Sequence, residues 1–258
     1  MSRDYSAFDA QDYLERYFNF DQGAAPTAKA WLETIARFYK SAALPPESAR
    51  ILEFGGGPHV VPLISAVPFA KEILFAEFLE VNRDVVLKWR DGEVEFPSVF
   101  REVVERIEDQ APDNFEARAA SLRDKLTEII PCDITNEDPL LGAAQGPFDV
   151  ISTHLCLEAA CLSKAAYLQS VVKLANLLKR PGGKMIASIG VECSFYTVGD
   201  SRFLVTPLTL EDIREGFTLA GFDKVELTCV HFPQSTAGTE AKPKLSDIKG
   251  RCIVFASF

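Results

Sequence analysis

The chain has 258 residues, 47 % hydrophobic and 25 % charged, which is ordinary globular usage and excludes a disordered, collagen-like or coiled-coil architecture. Its 27 Lys and Arg against 37 Asp and Glu give a net charge of -10 and a pI of about 4.9. That argues against a nucleic-acid binder, which displaces counterions with a basic face, and against docking on an anionic membrane.

Residues 1–48 are expected to form a helical N-terminal cap rich in aromatics. Within it Trp31, Ile35 and Phe38 follow helical spacing, and Pro45-Pro46 ends the helix. A strand–turn–helix alternation follows. Residues 50–54 read as an apolar strand running into Gly55-Gly56-Gly57, with Pro58 suited to open a helix. Residues 72–77 read as a second strand, and a helix from about Asn82 carries Val85, Val86 and Trp89. Residues 91–126 are charged and less periodic, an inserted loop and helix.

Residues 128–131 lead a third strand into Cys132-Asp133, and 148–153 form a fourth. A helix with Leu168, Val171, Val172, Ala175 and Leu178 comes next, then Pro181-Gly182-Gly183 and a fifth strand at 184–189. Thr209 and Asp212 have the spacing of a capping box, and Gly221 stops that helix. Two late strands lie near 224–232 and 251–257. This order predicts one α/β domain over 1–258, with a mostly parallel sheet covered by helices on both faces. Ligands of such sheets lie at the carboxyl ends of the strands.

Three of those ends carry the chemistry. Glycines after the first strand allow a sharp turn. A dinucleotide fingerprint needs a third glycine where Val60 stands. Glu77, 20 residues beyond Gly57, is placed to accept ribose hydroxyls, and Asp133 to accept from an adenine amino group. The fit is to a nucleoside such as S-adenosylmethionine rather than to a dinucleotide. Val60 and the late strand pair argue against an NAD-dependent dehydrogenase. The six cysteines form no C-x-x-C and there are three histidines, so no metal site is expected. The cysteines read as reduced core thiols of a cytoplasmic chain, since no apolar run follows the N-terminus and none approaches a membrane span of ~18 residues.

Asp12-Tyr13-Leu14-Glu15-Arg16-Tyr17-Phe18, Gly55-Gly56-Gly57-Pro58, Leu155-Cys156-Leu157-Glu158-Ala159-Ala160-Cys161 and Ser194-Phe195-Tyr196-Thr197-Val198-Gly199 are familiar segments. The chain resembles the small-molecule N-methyltransferase family of the nicotinamide, phenylethanolamine and indolethylamine (thioether) enzymes, from about Phe8 to the C-terminus. The resemblance implies a seven-stranded, Rossmann-like class I methyltransferase sheet with an antiparallel last strand, a helical N-terminal lid and S-adenosylmethionine as cofactor. It implies methyl transfer to the nitrogen of a small amine or aromatic N-heterocycle.

Carried over by position, Tyr13 and Phe18 cover the cofactor, Phe18 replacing a tyrosine. Gly55 and Gly56 face its methionine part, and Gly57 is a further cofactor-binding residue. Glu77 holds the ribose with Asn82 beside it, Asp133 and Ile134 frame the adenine, and Thr153 lies near the sulfur. On the acceptor side the resemblance places Glu158 and Glu192 as carboxylates that take the amine proton, and Tyr196 as a closing ring. Tyr17 adds an aromatic wall, and His154 reads as a core histidine or an acceptor contact. Glu158 as a cap or a partner of Lys164, and Glu192 as a solvated loop charge, are the bland alternatives. Ile189 and Val205 stand where the nicotinamide enzyme has an acid and a serine, which removes that acceptor's polar anchors. His59 and His231 read as incidental. An oxygen or sulfur acceptor, or a non-catalytic cofactor-binding sensor or scaffold, are the competing functions. A monomer is expected, with no nucleic-acid or membrane partner.

Overall fold

The structure is a computed structural model that describes residues 4–111, 114–232 and 245–258. Residues 1–3 of the expected cap lie outside the described residues. The cap holds two helices. Asp9 caps α1 (Ala10–Tyr17) by accepting the N–H groups of Gln11 and Asp12, the usual service of an N-cap aspartate. Helix α2 (Pro26–Ser41) starts on a proline and buries Trp31, Leu32, Ile35, Phe38 and Tyr39 on one stripe.

Seven strands form the main sheet: β1 (Ala49–Phe54), β2 (Ala70–Glu77), β3 (Leu126–Pro131), β4 (Val150–His154), β5 (Lys184–Val191), β8 (Lys224–His231) and β9 (Gly250–Ser257). Their order is β3-β2-β1-β4-β5-β9-β8. The first five run parallel, and β9 lies antiparallel between β5 and β8, as the resemblance implies. Both faces are covered, so the central strands are mostly apolar, with Glu53, Ser152, Thr153, His154 and Ser188 as buried polar exceptions. Alternation along β1 sends Ile51 to one core with Ile73, Val150, Ile186 and Ile253, and Leu52 to the other with Leu74, Ile151, Met185 and Val254. Helix α2 belongs to the first core. Helices α7 (Lys164–Asn176) and α8 (Leu210–Leu219) belong to the second. The Thr209–Asp212 capping box at α8 is present.

Two expectations change, and one motif falls on elements that no expectation covered. Pro58 does not open an α-helix. The chain instead makes a turn and a six-residue 3-10 helix, Val61–Ala66, all of it buried, a run with no polar face to turn outward. Residues 91–126 hold more than a charged insertion. Helix α4 (Pro97–Arg101), a π-helix (Glu102–Ile107) and helix α5 (Asn114–Lys125) bury Val99, Phe100, Val103, Val104 and Leu122 against the first core. Last, the Ser194–Gly199 motif lies on an extra hairpin, β6 (Phe195–Val198) and β7 (Ser201–Leu204), outside the main sheet.

Candidate active site

Strand order reverses between β1 and β4, and a cavity of about 470 Å³ opens at their carboxyl ends, where open α/β sheets take their ligands. Gly55 and Gly57 have φ of +69° and +66°, which favours glycine. The close approach that Gly55 and Gly56 permit is internal. A Cβ would fall 2.1 Å from Cys156 Sγ at Gly55 and 2.3 Å from the Phe75 ring at Gly56. All three glycines line the cavity.

Glu77 ends β2 and is buried. Its Oε2 accepts the Gly57 N–H at 2.9 Å, and its Oε1 accepts the Leu79 N–H at 2.9 Å and the Asn82 amide at 3.1 Å. Burial pushes this carboxyl up and the three donors pull it back. A carboxylate has about four acceptor sites, so one stays open to a hydroxyl. Asn82 Oδ1 is buried beside it with no partner, a second open acceptor. The pair suits the two hydroxyls of a ribose. Asp133 and Ile134 also line the cavity. Asp133 Oδ1 accepts the N–H and hydroxyl of Thr135, at 2.9 and 2.7 Å.

The N-terminal segment covers this floor. Tyr13 and Tyr17 line the cavity. The Tyr17 hydroxyl donates to the Thr197 carbonyl at 3.0 Å, and Asp12 accepts the Gly199 N–H at 2.6 Å. Tyr5 donates to the Ala159 carbonyl and stacks on Phe203, as does Tyr196, which is also a cavity wall. Phe18 does not line the cavity. It follows the last residue of α1 and turns inward against His59, Trp31 and Phe20. His59 is correspondingly not incidental: it is buried on the cavity wall beside Tyr13, and its Nδ1 has no partner. Burial takes its pKa down to about 3, so the ring is neutral.

Glu158 is the second residue of the short helix α6 (Leu157–Ala160) and is 2 % exposed. Its Oε1 accepts the Gly190 N–H at 2.6 Å, and Oε2 is buried without a partner. Burial raises this carboxyl to about 7, against the pull of the Gly190 bond and of Arg251. Lys164 is engaged elsewhere, with Asp212 and Glu215. Glu192 does not join the site. Its side chain is half exposed and pairs with Lys249 at 2.5 Å, on a residue whose φ of +47° turns the chain outward after β5. Thr153 also lies off the cavity wall, because alternation on β4 sends it to the face opposite Ser152 and His154.

His154 does line the cavity. Its Nδ1 is 2.7 Å from Ser188 Oγ and its Nε2 is 2.9 Å from Ser152 Oγ. Both nitrogens are thus occupied, and burial lowers its pKa; it is a neutral wall residue without a free basic nitrogen. Ile189 points into the second core, so the cavity wall on β5 is Gly190 instead, and Val205 lines it as well. Leu155, with φ +53°, and Arg251 are cavity residues that pattern reading passed over. Arg251 had one visible signal, a charge at an inward-facing position of an apolar late strand. Among the described residues no group of three or more His, Cys, Asp or Glu is placed to hold a metal.

A family model described as the NNMT/PNMT/TEMT family matches residues 2–257. Indolethylamine N-methyltransferase of Oryctolagus cuniculus is 28 % identical over 240 residues, 91 % of this chain and 89 % of that one. Nicotinamide N-methyltransferase of Homo sapiens is 28 % identical over 222 residues, 84 % of this chain and 83 % of that one. Among solved structures, an S-adenosylmethionine-dependent methyltransferase from Clostridium acetobutylicum superposes with a TM-score of 0.55 at 12 % identity, covering 96 % of this chain and 98 % of that one. The last likeness is one of fold.

Proposed function

This chain belongs to the NNMT/PNMT/TEMT family, and on that premise we propose that it is an S-adenosylmethionine-dependent N-methyltransferase of small amines or aromatic N-heterocycles. One observation carries the reading. A single aromatic-walled cavity holds both the open ribose-type acceptors of Glu77 and Asn82 and a buried carboxyl, Glu158, with one unpartnered oxygen.

When bound, S-adenosylmethionine supplies a methyl group activated on a sulfonium. Glu77 and Asn82 hold the ribose, Asp133 and Ile134 border the adenine, and the Gly55–Gly57 turn accommodates the methionyl part. The rings of Tyr13, Tyr17 and Tyr196 form walls that favour a cationic sulfur and a methylated ammonium. Fastening α1 to the β6–β7 hairpin excludes water and aligns the reactants. A protonated amine has no lone pair to attack with, so Glu158 takes its proton at Oε2. An aromatic ring nitrogen needs no such help. Val205 and the bare Gly190 offer no side-chain hydrogen bond to a carboxamide, which disfavours nicotinamide itself.

The whole of 1–258 acts in this reading as one methyltransferase domain, with 1–48 as its cap and 91–126 as an insertion that braces the first core. No helix of the described residues is long and apolar enough to cross a membrane. We take the protein to be a cytoplasmic monomer without nucleic-acid or membrane partners. The test is transfer of a labelled methyl from S-adenosylmethionine to a panel of amines, pyridines, phenols and thiols. Label on nitrogen is expected. Label on oxygen or sulfur only refutes the nitrogen assignment, and protein that binds S-adenosylhomocysteine yet methylates nothing is a sensor or scaffold.

A further inference from the structure

Arg251 is a cation in this cavity that forms no ion pair with an acid among the described residues. It stands near the start of β9, directly opposite Gly190 of β5, on the same strand face as Ile253 and therefore on the side covered by α2. Its guanidinium carbon lies 4.8 Å from the centre of the Trp31 ring, it lines the cavity, and its Nε is buried with no hydrogen-bond partner. Glu158 attracts it through space but does not pair with it. One Glu158 oxygen is on Gly190 and the other has no partner. Burial lowers Arg251 only to about 10, so it is charged at neutral pH. Its other neighbours across the cavity, His59 and His154, are held neutral by burial, and the Tyr13 phenol is pushed up and stays protonated.

A guanidinium is a poor neighbour for a sulfonium, because like charges repel strongly where water is excluded. It is a good neighbour for a carboxylate, whose two oxygens match its planar fork. An aromatic face on one side and an unpartnered N–H on another leave it oriented but unsatisfied.

We propose that Arg251 binds a carboxylate inside this cavity, either the methionyl carboxylate of S-adenosylmethionine or one carried by the methyl acceptor. This rests on the methyltransferase reading above and names a charge that the reading by itself does not require.

Calorimetry tests it without turnover. The probes are S-adenosylhomocysteine and its decarboxylated analogue, then, on the S-adenosylhomocysteine complex, phenylalanine against 2-phenylethylamine and pyridine-3-carboxylate against pyridine-3-carboxamide. The expected result is that the wild-type protein prefers the carboxylate-bearing member about 10- to 100-fold, the range of a charge-assisted hydrogen bond. A preference within the first pair assigns the carboxylate to the cofactor tail, and one within the later pairs assigns it to the acceptor. Arg251→Gln removes the preference and Arg251→Lys keeps part of it. A wild-type protein with no preference in any pair overturns the proposal without recourse to a variant, and so does a preference that survives Arg251→Gln. Either result leaves the methyltransferase reading intact. No binding of S-adenosylhomocysteine at all overturns that reading and this inference together.

Discussion

The backbone N–H of Gly190 donates to Glu158 Oε1 at 2.6 Å across 32 residues of chain. A Cβ on Gly190 would lie 3.3 Å from the same oxygen, so the bare backbone of β5 both binds the carboxyl and makes room for it. One oxygen is spent on orientation, and the other remains for chemistry.

With its pKa near 7, Glu158 gains its charge as pH rises through about neutrality. Methylation of an aliphatic amine should therefore rise over that range. Glu158→Gln should abolish the rise and lower the amine rate about 100-fold, the usual worth of a positioned base. Methylation of a pyridine, which carries no proton at neutral pH, should be largely spared. Initial rates with one amine and one pyridine across pH check this; equal losses on both would show that Glu158 acts by another route.

Asp12 and Gly199 tie α1 to the β6–β7 hairpin at 2.6 Å. Asp12→Ala should speed release of S-adenosylhomocysteine several-fold while barely moving the thermal midpoint, because Asp12 is only partly buried and its ties to Gly199 and Arg16 lie near the surface. Stopped-flow dissociation reads this directly. A deletion meant to remove the lid and spare the core has to stop at Tyr17, since Phe20 is buried in the first core and Phe18 packs against it. That deletion should abolish retention in folded protein, and unchanged affinity would refute the lid.

Glu77 is a bracket for the glycine turn before it is a ligand for anything. Glu77→Ala strands the N–H groups of Gly57 and Leu79 and the Asn82 amide. Each orphaned buried donor costs on the order of 1–3 kcal/mol, so the denaturation midpoint should fall. Affinity for S-adenosylhomocysteine should fall with it, by about tenfold or more. Undiminished affinity in folded Glu77→Ala would remove Glu77 from the site.

Glu53 lies behind the turn with both carboxyl oxygens buried and unpartnered. Ser152 Oγ is engaged with His154 and opposes the shift only weakly, so burial raises Glu53 from 4.5 to about 8. The unfolded chain releases this proton near the ordinary value while the folded chain keeps it. The folded state then binds more protons, and stability falls as pH climbs from about 4.5 through about 8. Glu158 adds a fall of the same sign up to about 7. Thermal midpoints should decline over this range, with a shallower decline in Glu53→Gln; a midpoint that climbs instead contradicts the assignment.

The strand–turn–helix order, the glycine turn, Glu77 and Asp133 were legible because each rests on local chemistry: apolar periodicity, the conformational freedom of glycine, an acid at a strand end. The two late strands could be read for the same reason, whereas their antiparallel course followed from the family resemblance. Glu192 and Glu158 are equivalent as letters. The fold separated them, burying one against Gly190 and turning the other out to Lys249.

The same holds for Phe18 and His59. Their places depend on where α1 ends and on which wall the turn after Gly57 presents, and neither is a property of neighbouring residues. Arg251 looks like the polar start of a strand until β5, α2 and the cavity close around it. The order of the elements and the places of Glu77 and Asp133 at strand ends were local matters, since backbone propensity and side-chain alternation act over a few residues. Which charges lose their water was settled by tertiary packing, because burial is set by segments distant in the chain, as it is for Glu53, Glu77 and Glu158.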